Sequence, residues 1–181
     1  MNSDDLKKQF NLIYQSQSDA VLRFCLMRVS SREEAVDLTE EVFTRLWQTL
    51  ISGKKLDNAR AFIFTVARHL IIDWYRKKKS IPFEELEDKE TGEAYDPVDE
   101  KALQNIEISA EGRFLIEAVS KLSPTYRQAV YLRFVEDLSP GEIGEVLGVS
   151  ANAVSVRINR GVEELRKITG YDDLPNNILT T

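Results

Sequence analysis

Apolar residues recur at steps of three and four along most of the chain, which is the spacing of an amphipathic helix. In the first part of the chain this pattern predicts one or two helices over about 4–29, then helices over about 32–50 and 59–79. After residue 112 it predicts a short stripe at 114–122 and helices over about 124–135, 140–147 and 151–168. Neither a repeat nor a strong strand signal accompanies it. The pattern therefore predicts an all-α protein.

Residues typical of helix caps occur at the ends of these segments. Ser31 with Glu34, and Ser139 with Glu142, fit the capping box, in which a hydroxyl and a carboxylate bond each other's backbone N–H groups. Further predicted N-caps are Asn58, Ser123 and Ser150. The predicted helix ends are Gly53, Gly148 and Gly170. These residues make the predicted helix boundaries specific.

Acidic residues are concentrated in one segment that has no sustained apolar face. Residues 80–112 carry 11 acidic and 2 basic residues, whereas residues 1–79 are net +4 and residues 113–181 are net −1. Like charges keep such a segment extended. We predict two small helical domains, 1–79 and 113–170, joined by an acidic linker at 80–112 and followed by a tail at 171–181.

The segment 139–166 has the pattern of a helix-turn-helix: a short helix, a Gly148-Val149-Ser150 turn and a longer helix. The second helix is predicted to turn Val154, Ile158, Val162 and Leu165 inward and to leave Asn152, Ser155, Arg157, Asn159 and Arg160 facing out. Arginine and asparagine can recognise guanine and adenine in the major groove. This face is therefore a candidate DNA-binding surface, although a solvated helix face would have a similar composition.

Two further surfaces lie in the predicted first domain. The helix over 59–79 ends in Arg76 and three lysines, with Arg68 on an earlier turn and aromatic residues interleaved along the helix. Cations beside aromatic rings can bind single-stranded nucleic acid, but a basic end for solubility is an alternative. The helix over 32–50 carries Asp37, Glu40, Glu41 and Arg45 on its polar side, a mixed-charge face that fits either solvent or a protein partner.

Several other classes of protein find little support in the sequence. The single histidine, His69, has no cluster of cysteines or carboxylates at metal-ligand spacing, and no nucleophile arrangement or phosphate loop occurs, so we expect no catalysis, metal or cofactor. No run of about 20 apolar residues predicts a membrane span, and the first residues are unlike a secretory signal. The lone Cys25 is predicted to be a core residue. We expect a cytoplasmic protein.

Three stretches resemble the extracytoplasmic-function (ECF) group of sigma factors, which belongs to the sigma-70 family. Residues 35–47 (AVDLTEEVFTRLW) resemble the polymerase-binding region of that group. Residues 61–77 resemble its minus-10 recognition helix, and 122–133 together with 138–166 resemble its minus-35 domain. The three stretches occur in the expected order and cover nearly the whole chain.

The resemblance implies a transcription initiation factor with bacterial core RNA polymerase, promoter DNA and an anti-sigma factor as partners. Polymerase binding is then assigned to Asp37, Glu40, Glu41 and Arg45, and minus-10 DNA binding to Phe62, Thr65, Arg68, His69, Arg76 and Lys77. Minus-35 DNA binding is assigned to Arg127, Asn152, Ser155, Arg157 and Arg160. The acidic linker would pass through the polymerase toward the RNA exit path.

The sequence departs from that group's usual pattern at a few positions. Glu40, Phe62 and His69 replace its common glutamine, tryptophan and asparagine, and few cations occur on the recognition helix, which predicts a shallow dependence of DNA binding on salt. Gly144 replaces a common alanine, which by helix propensity costs about 1 kcal/mol. The main rival hypothesis is a stand-alone helix-turn-helix regulator, and a small helical enzyme is the second.

Overall fold

The structure is a computed structural model that describes residues 3–29, 31–78, 114 and 117–170. All regular elements among these residues are helices, as the apolar spacing predicts. They are α1 (Ser3–Leu26), α2 (Arg32–Ile51), α3 (Ala59–Lys78), α4 (Pro124–Phe134), α5 (Pro140–Leu147) and α6 (Ala151–Thr169), with a short helical turn over 117–120. The predicted acidic linker and tail lie outside the described residues.

The chain divides into two compact units, and α1, α2 and α3 pack against one another in the first. Its core includes Phe24 and Cys25 from α1, Leu46 from α2 and Phe64 from α3, all with no solvent exposure. The rings of Phe24 and Phe64 meet edge to face with their centroids 5.3 Å apart, a favourable aromatic geometry. Cys25 is a buried free thiol, as predicted.

The end of α1 is fastened to α3 by polar contacts as well as by packing. Arg28 is buried, its guanidinium lies 3.5 Å from the centroid of the Phe24 ring, and its Nη1 donates to the Phe24 carbonyl. The hydroxyl of Tyr75 in α3 donates to the Arg28 carbonyl. Because buried polar groups are costly when unbonded, these contacts fix the position of α3 relative to α1.

In the second unit, α4 and α5 both pack against α6. Its core includes Tyr131, Leu132, Leu138, Ile143 and Ile158, and a second cluster joins Ala118 and Leu122 to Val130 and Leu165. Phe114, which the sequence placed on the apolar stripe, is 47% exposed.

Most of the predicted caps are confirmed. The Asn58 and Ser150 side chains accept from the N–H groups of Ala61 and Ala153, and Ser139 with Glu142 forms the complete capping box. Ser123 stands at the N-cap position but makes no side-chain cap bond, and Pro124 follows it at the first helical position. Gly53, Gly148 and Gly170 all have positive φ at helix ends, which costs glycine little.

The predicted capping box at Ser31 is only half present. The Ser31 hydroxyl accepts from the Glu34 N–H at 3.4 Å, as predicted. The Glu34 carboxylate, however, forms an ion pair with Lys78 at the end of α3. A charged partner from another helix attracts a carboxylate more strongly than a neutral backbone N–H does, so tertiary structure overrides the local motif.

Candidate nucleic-acid interface

The turn between α5 and α6 is tight and is built from backbone contacts. The Val149 N–H donates to the Gly144 carbonyl at 3.0 Å, Gly148 adopts φ 72°, and Ser150 caps α6. A Cβ on Gly144 would lie 2.6 Å from the Val149 carbonyl oxygen. The helix-turn-helix predicted from the sequence is therefore present. Position 144 is a glycine for a steric reason, which helix propensity alone does not reveal.

The predicted faces of α6 are confirmed with one correction. Val154, Ile158 and Leu165 are buried as predicted, but Val162 is only half-buried and Gly161 takes the inner position. Packing explains why Gly161 lies on the inner face: α4 approaches α6 so closely there that a Cβ on residue 161 would meet Val130.

The outward face of α6 carries the predicted polar side chains. Asn152, Asn159 and Arg160 are exposed, while Ser155 and Arg157 are half-buried. The Ser155 hydroxyl donates to the Ala151 carbonyl at 3.0 Å, which ties it to its own helix. Val156, at 43% exposure, adds an apolar patch to this face. An exposed helix face of amides and guanidinium groups has the donors and acceptors that base edges require.

Arg127 lies at the start of α4 rather than on α6. Its Nη2 donates to the Leu122 carbonyl at 2.9 Å, and the residue is half-buried. This bond holds the guanidinium against the backbone that precedes α4 and uses one of its five N–H donors.

A side chain that the sequence did not single out, Tyr126, joins α4 to this face. The Arg160 Nη1 donates to the Tyr126 hydroxyl oxygen at 3.5 Å. The pKa of Arg160 is raised above its ordinary value, chiefly by this hydrogen bond, which stabilises the charged guanidinium. Sequence offers no signal for the contact, since the two residues are 34 positions apart.

The predicted mixed-charge face of α2 is solvent-accessible. Asp37, Glu40 and Glu41 are exposed and Arg45 is half-buried. The Arg45 Nε donates to the Glu41 carboxylate at 2.8 Å, an ion pair between neighbouring turns of one helix. Since surface pairs of this kind contribute little to stability, the face remains available to a partner.

A groove of about 600 Å³ lies between α1 and α2, next to this face. Four aromatic residues line it, Phe10 and Tyr14 from α1 and Phe43 and Trp47 from α2, and Glu40 stands at the same groove. The Tyr14 and Phe43 rings meet edge to face with centroids 4.8 Å apart. The acidic face of α2 therefore borders an aromatic surface.

On α3 the structure separates the predicted DNA-binding residues by exposure. His69 is exposed, and Phe62 and Thr65 are half-buried, with the Thr65 hydroxyl donating to the Ala61 carbonyl. Arg68 is only 7% exposed. Packing buries α3 on nearly every side, so Arg68 is the member of this set that the structure supports least.

The basic end of α3 is partly engaged within the protein. Arg76 lies 3.6 Å from Asp73, and Lys78 pairs with Glu34 while its ammonium lies 5.6 Å from the centre of the Trp74 ring. Lys77 is exposed.

In the part of the chain that the structure describes, no group of histidine, cysteine and carboxylate side chains could hold a metal ion. Among the same residues, no helix has the length and apolar character of a membrane span.

Two family models match the chain in the positions of these units. Residues 13–81 match the model described as sigma-70 region 2, and residues 115–165 match the model described as sigma-70, region 4. The first covers most of α1 together with α2 and α3, and the second covers α4, α5 and most of α6.

Curated relatives agree with the two models. The chain is 27% identical over 157 residues to the RNA polymerase sigma factor YlaC of Bacillus subtilis, covering 86% of this chain and 88% of that protein. It is 29% identical over 157 residues to the ECF RNA polymerase sigma factor SigW of the same organism, covering 82% of each. Among solved structures, the sigma factor RpoE from Bartonella quintana, in complex with the anti-sigma factor NepR, matches with a TM-score of 0.64 at 20% identity. That match covers 91% of this chain and 99% of RpoE.

The two matched regions, in their order and on these helices, define a sigma factor of two domains. The chain belongs to the sigma-70 family and to its extracytoplasmic-function group, whose members are transcription initiation factors.

Proposed function

We propose that this protein binds bacterial core RNA polymerase through its first unit and directs it to promoters by binding a minus-10 element with the same unit and a minus-35 element with the second. The observation that carries the proposal is the exposed amide and guanidinium face of α6, whose polar residues 152–160 lie within the match to sigma-70 region 4.

At the minus-35 element, α6 enters the major groove of the duplex. Arg160 and Asn152, the exposed members of the set, contact base edges, while Ser155 and Arg157 lie at the border of the interface. Arg127, held at the start of α4, contacts the DNA backbone. Because phosphate contacts fix orientation and base contacts carry sequence information, the two groups of residues have separate effects on affinity and specificity.

At the minus-10 element, Phe62, Thr65 and His69 face the strand that opens, and Arg76 and Lys77 hold its phosphates. A base that leaves the duplex loses its stacking there and gains stacking on an aromatic side chain. The factor therefore favours strand opening by binding the open form, with no bond made or broken by the protein. Arg68 would have to leave its buried position to take part.

The polymerase contact is formed by Asp37, Glu40, Glu41 and Arg45, with the adjoining aromatic groove beside it. The acidic residues 80–112 serve as the linker between the domains, in keeping with their charge. An anti-sigma factor is a further partner, since RpoE, which shares this fold, was solved with one. The place of action is the cytoplasm, and the protein is a binding factor rather than an enzyme.

Run-off transcription with purified bacterial core polymerase tests the proposal directly. The protein is added to core enzyme on a pool of promoter fragments, and transcripts that require it are sequenced. We expect specific transcripts whose upstream sequences share two elements. Absence of such transcripts with the source organism's own core enzyme, from folded protein, would contradict the proposal.

The same protein preparation also tests the alternative function, a stand-alone helix-turn-helix regulator. Such a regulator usually dimerises to bind two half-sites and binds duplex DNA by itself. Light scattering of the free protein and a duplex titration without polymerase measure both properties. We expect a monomer with weak duplex binding, and a tight-binding dimer would favour the regulator.

A further inference from the structure

The contact between Tyr126 and Arg160 joins the first turn of α4 to the exposed face of α6. The Arg160 Nη1 donates to the Tyr126 hydroxyl at 3.5 Å, and Tyr126 is half-buried whereas Arg160 is exposed. An exposed arginine otherwise moves among many rotamers, and its ordering on binding costs free energy. A hydrogen bond to a side chain on another helix restricts that motion before any ligand arrives.

The glycine next to Arg160 makes the contact possible. A Cβ at Gly161 would lie 2.5 Å from the Val130 Cγ2 and 3.3 Å from the Tyr126 Cβ. Helices α4 and α6 can therefore approach to this distance only because residue 161 has no side chain. The same close approach that packs the core brings the Tyr126 phenol beside the Arg160 guanidinium.

The chemistry of the contact leaves the guanidinium able to bind a ligand. A guanidinium has five N–H donors in one plane, and the phenol occupies one of them. Two parallel donors remain for a pair of acceptors such as O6 and N7 of guanine. The phenol oxygen accepts this hydrogen bond and thereby orients the guanidinium. The anionic group that acts on Arg160 along α6 is Glu163, which is exposed and attracts it electrostatically.

We propose that Tyr126 is a positioning residue for Arg160: it holds the guanidinium on the outer face of α6 and thereby raises affinity for the duplex that Arg160 contacts. The inference rests on the proposed minus-35 function and adds to it a residue outside the recognition helix. Tyr126 acts through Arg160 and is not itself a DNA contact.

A double-mutant cycle on the complex of the full chain with core polymerase tests this inference. The probe is a fluorescent duplex whose upstream element has been selected from a randomised library by the unmutated complex. Affinities are measured by anisotropy for the unmutated chain, Tyr126→Phe, Arg160→Ala and the double variant. Ser120→Ala, which removes a second-unit hydroxyl that donates to the Glu117 carbonyl and belongs to neither proposed binding face, is the matched control.

We expect Tyr126→Phe to weaken binding by about threefold to tenfold, as loss of one preordered side chain predicts. Arg160→Ala should weaken it further, and Tyr126→Phe should have no effect in the Arg160→Ala background. Thermal unfolding of each variant shows that the fold is retained, since Tyr126→Phe keeps the ring and removes only the hydroxyl.

Three results would overturn the inference. Equal losses from Tyr126→Phe with and without Arg160 would make Tyr126 a direct DNA contact. No loss from Tyr126→Phe, combined with a loss from Arg160→Ala, would remove the positioning role while keeping the proposed minus-35 site. No loss from Arg160→Ala would remove that site and the inference together.

Discussion

Tyr131 and Glu136 form a buried polar pair in the second unit. Each side chain is 2% exposed, and the Tyr131 hydroxyl donates to the Glu136 carboxyl at 2.5 Å. A carboxyl group in this position is costly unless hydrogen bonds replace its contacts with water. The next residue, Asp137, has φ 52°, which is uncommon outside glycine, so the pair lies at a sharply turned segment between α4 and α5.

Tyr131→Phe should lower the free energy of unfolding of the second unit by about 1–3 kcal/mol, because the carboxyl oxygen loses this donor without regaining water. Chemical denaturation is followed by circular dichroism for the whole chain and by tryptophan fluorescence for the first unit, which contains both tryptophans. The circular dichroism transition should shift to a lower denaturant concentration, while the midpoint of the fluorescence transition should not change. Tyr14→Phe is the control, and equal behaviour of the two variants would contradict the role of the pair.

At the scale of elements, two glycines decide how the helices of the second unit meet. Gly161 allows α4 to approach α6, and Gly144 allows the turn after α5 to fold back on that helix. Both are buried positions inside helices, where glycine is unfavourable by propensity. Close packing outweighs that cost at both places.

Gly144→Ala should destabilise the second unit, although helix propensity alone predicts a gain of about 1 kcal/mol. The added Cβ would lie 2.6 Å from the Val149 carbonyl oxygen, so the turn must move. Gly141→Ala in the same helix is the matched control, because its Cβ would meet only the Ser139 Oγ at 3.9 Å. Denaturation midpoints measured by circular dichroism should fall for the first variant and hold or rise for the second. The reverse order would show that the turn adjusts easily.

At the scale of the whole molecule, the acidic face of α2 and the exposed face of α6 belong to different units, so we expect mutations to change the proposed polymerase contact and the proposed minus-35 contact separately. Asp37 is exposed and its side chain lies on the face proposed to meet polymerase. Its charge contributes to binding only when a partner covers it, since exposed charges in water interact weakly.

Asp37→Ala should weaken core polymerase binding by several-fold while leaving the fold unchanged, because it removes a charge from the proposed interface. The measurement is competition with the unmutated factor for a limiting amount of core enzyme. Asp57→Ala is the matched control, since Asp57 is an exposed aspartate in the loop before α3. Its Oδ1 makes a long surface pair, 3.9 Å, with the Nζ of the equally exposed Lys55. Equal competition by both variants would remove Asp37 from the interface.

Sequence predicted the helices closely because their determinants are local. Apolar spacing placed α2 and α3 within one residue of their observed ends, and Ser139, Gly148 and Ser150 marked the helix-turn-helix. It also separated most buried from exposed positions on α6 and found the motifs of the sigma family. These features depend on residues a few positions apart, whose interactions form within one helix or one turn.

Contacts between helices were decided only by the tertiary structure. Glu34 pairs with Lys78 instead of completing its capping box, Arg68 is buried in α3, and Arg160 donates a hydrogen bond to Tyr126 of another helix. None of these has a local signature, because each depends on the distance between helices that packing sets. The sequence by itself determined the helices, the turn and the family, whereas packing determined which charged side chains are exposed on the proposed DNA and polymerase faces, since burial and pairing depend on neighbours distant in the chain.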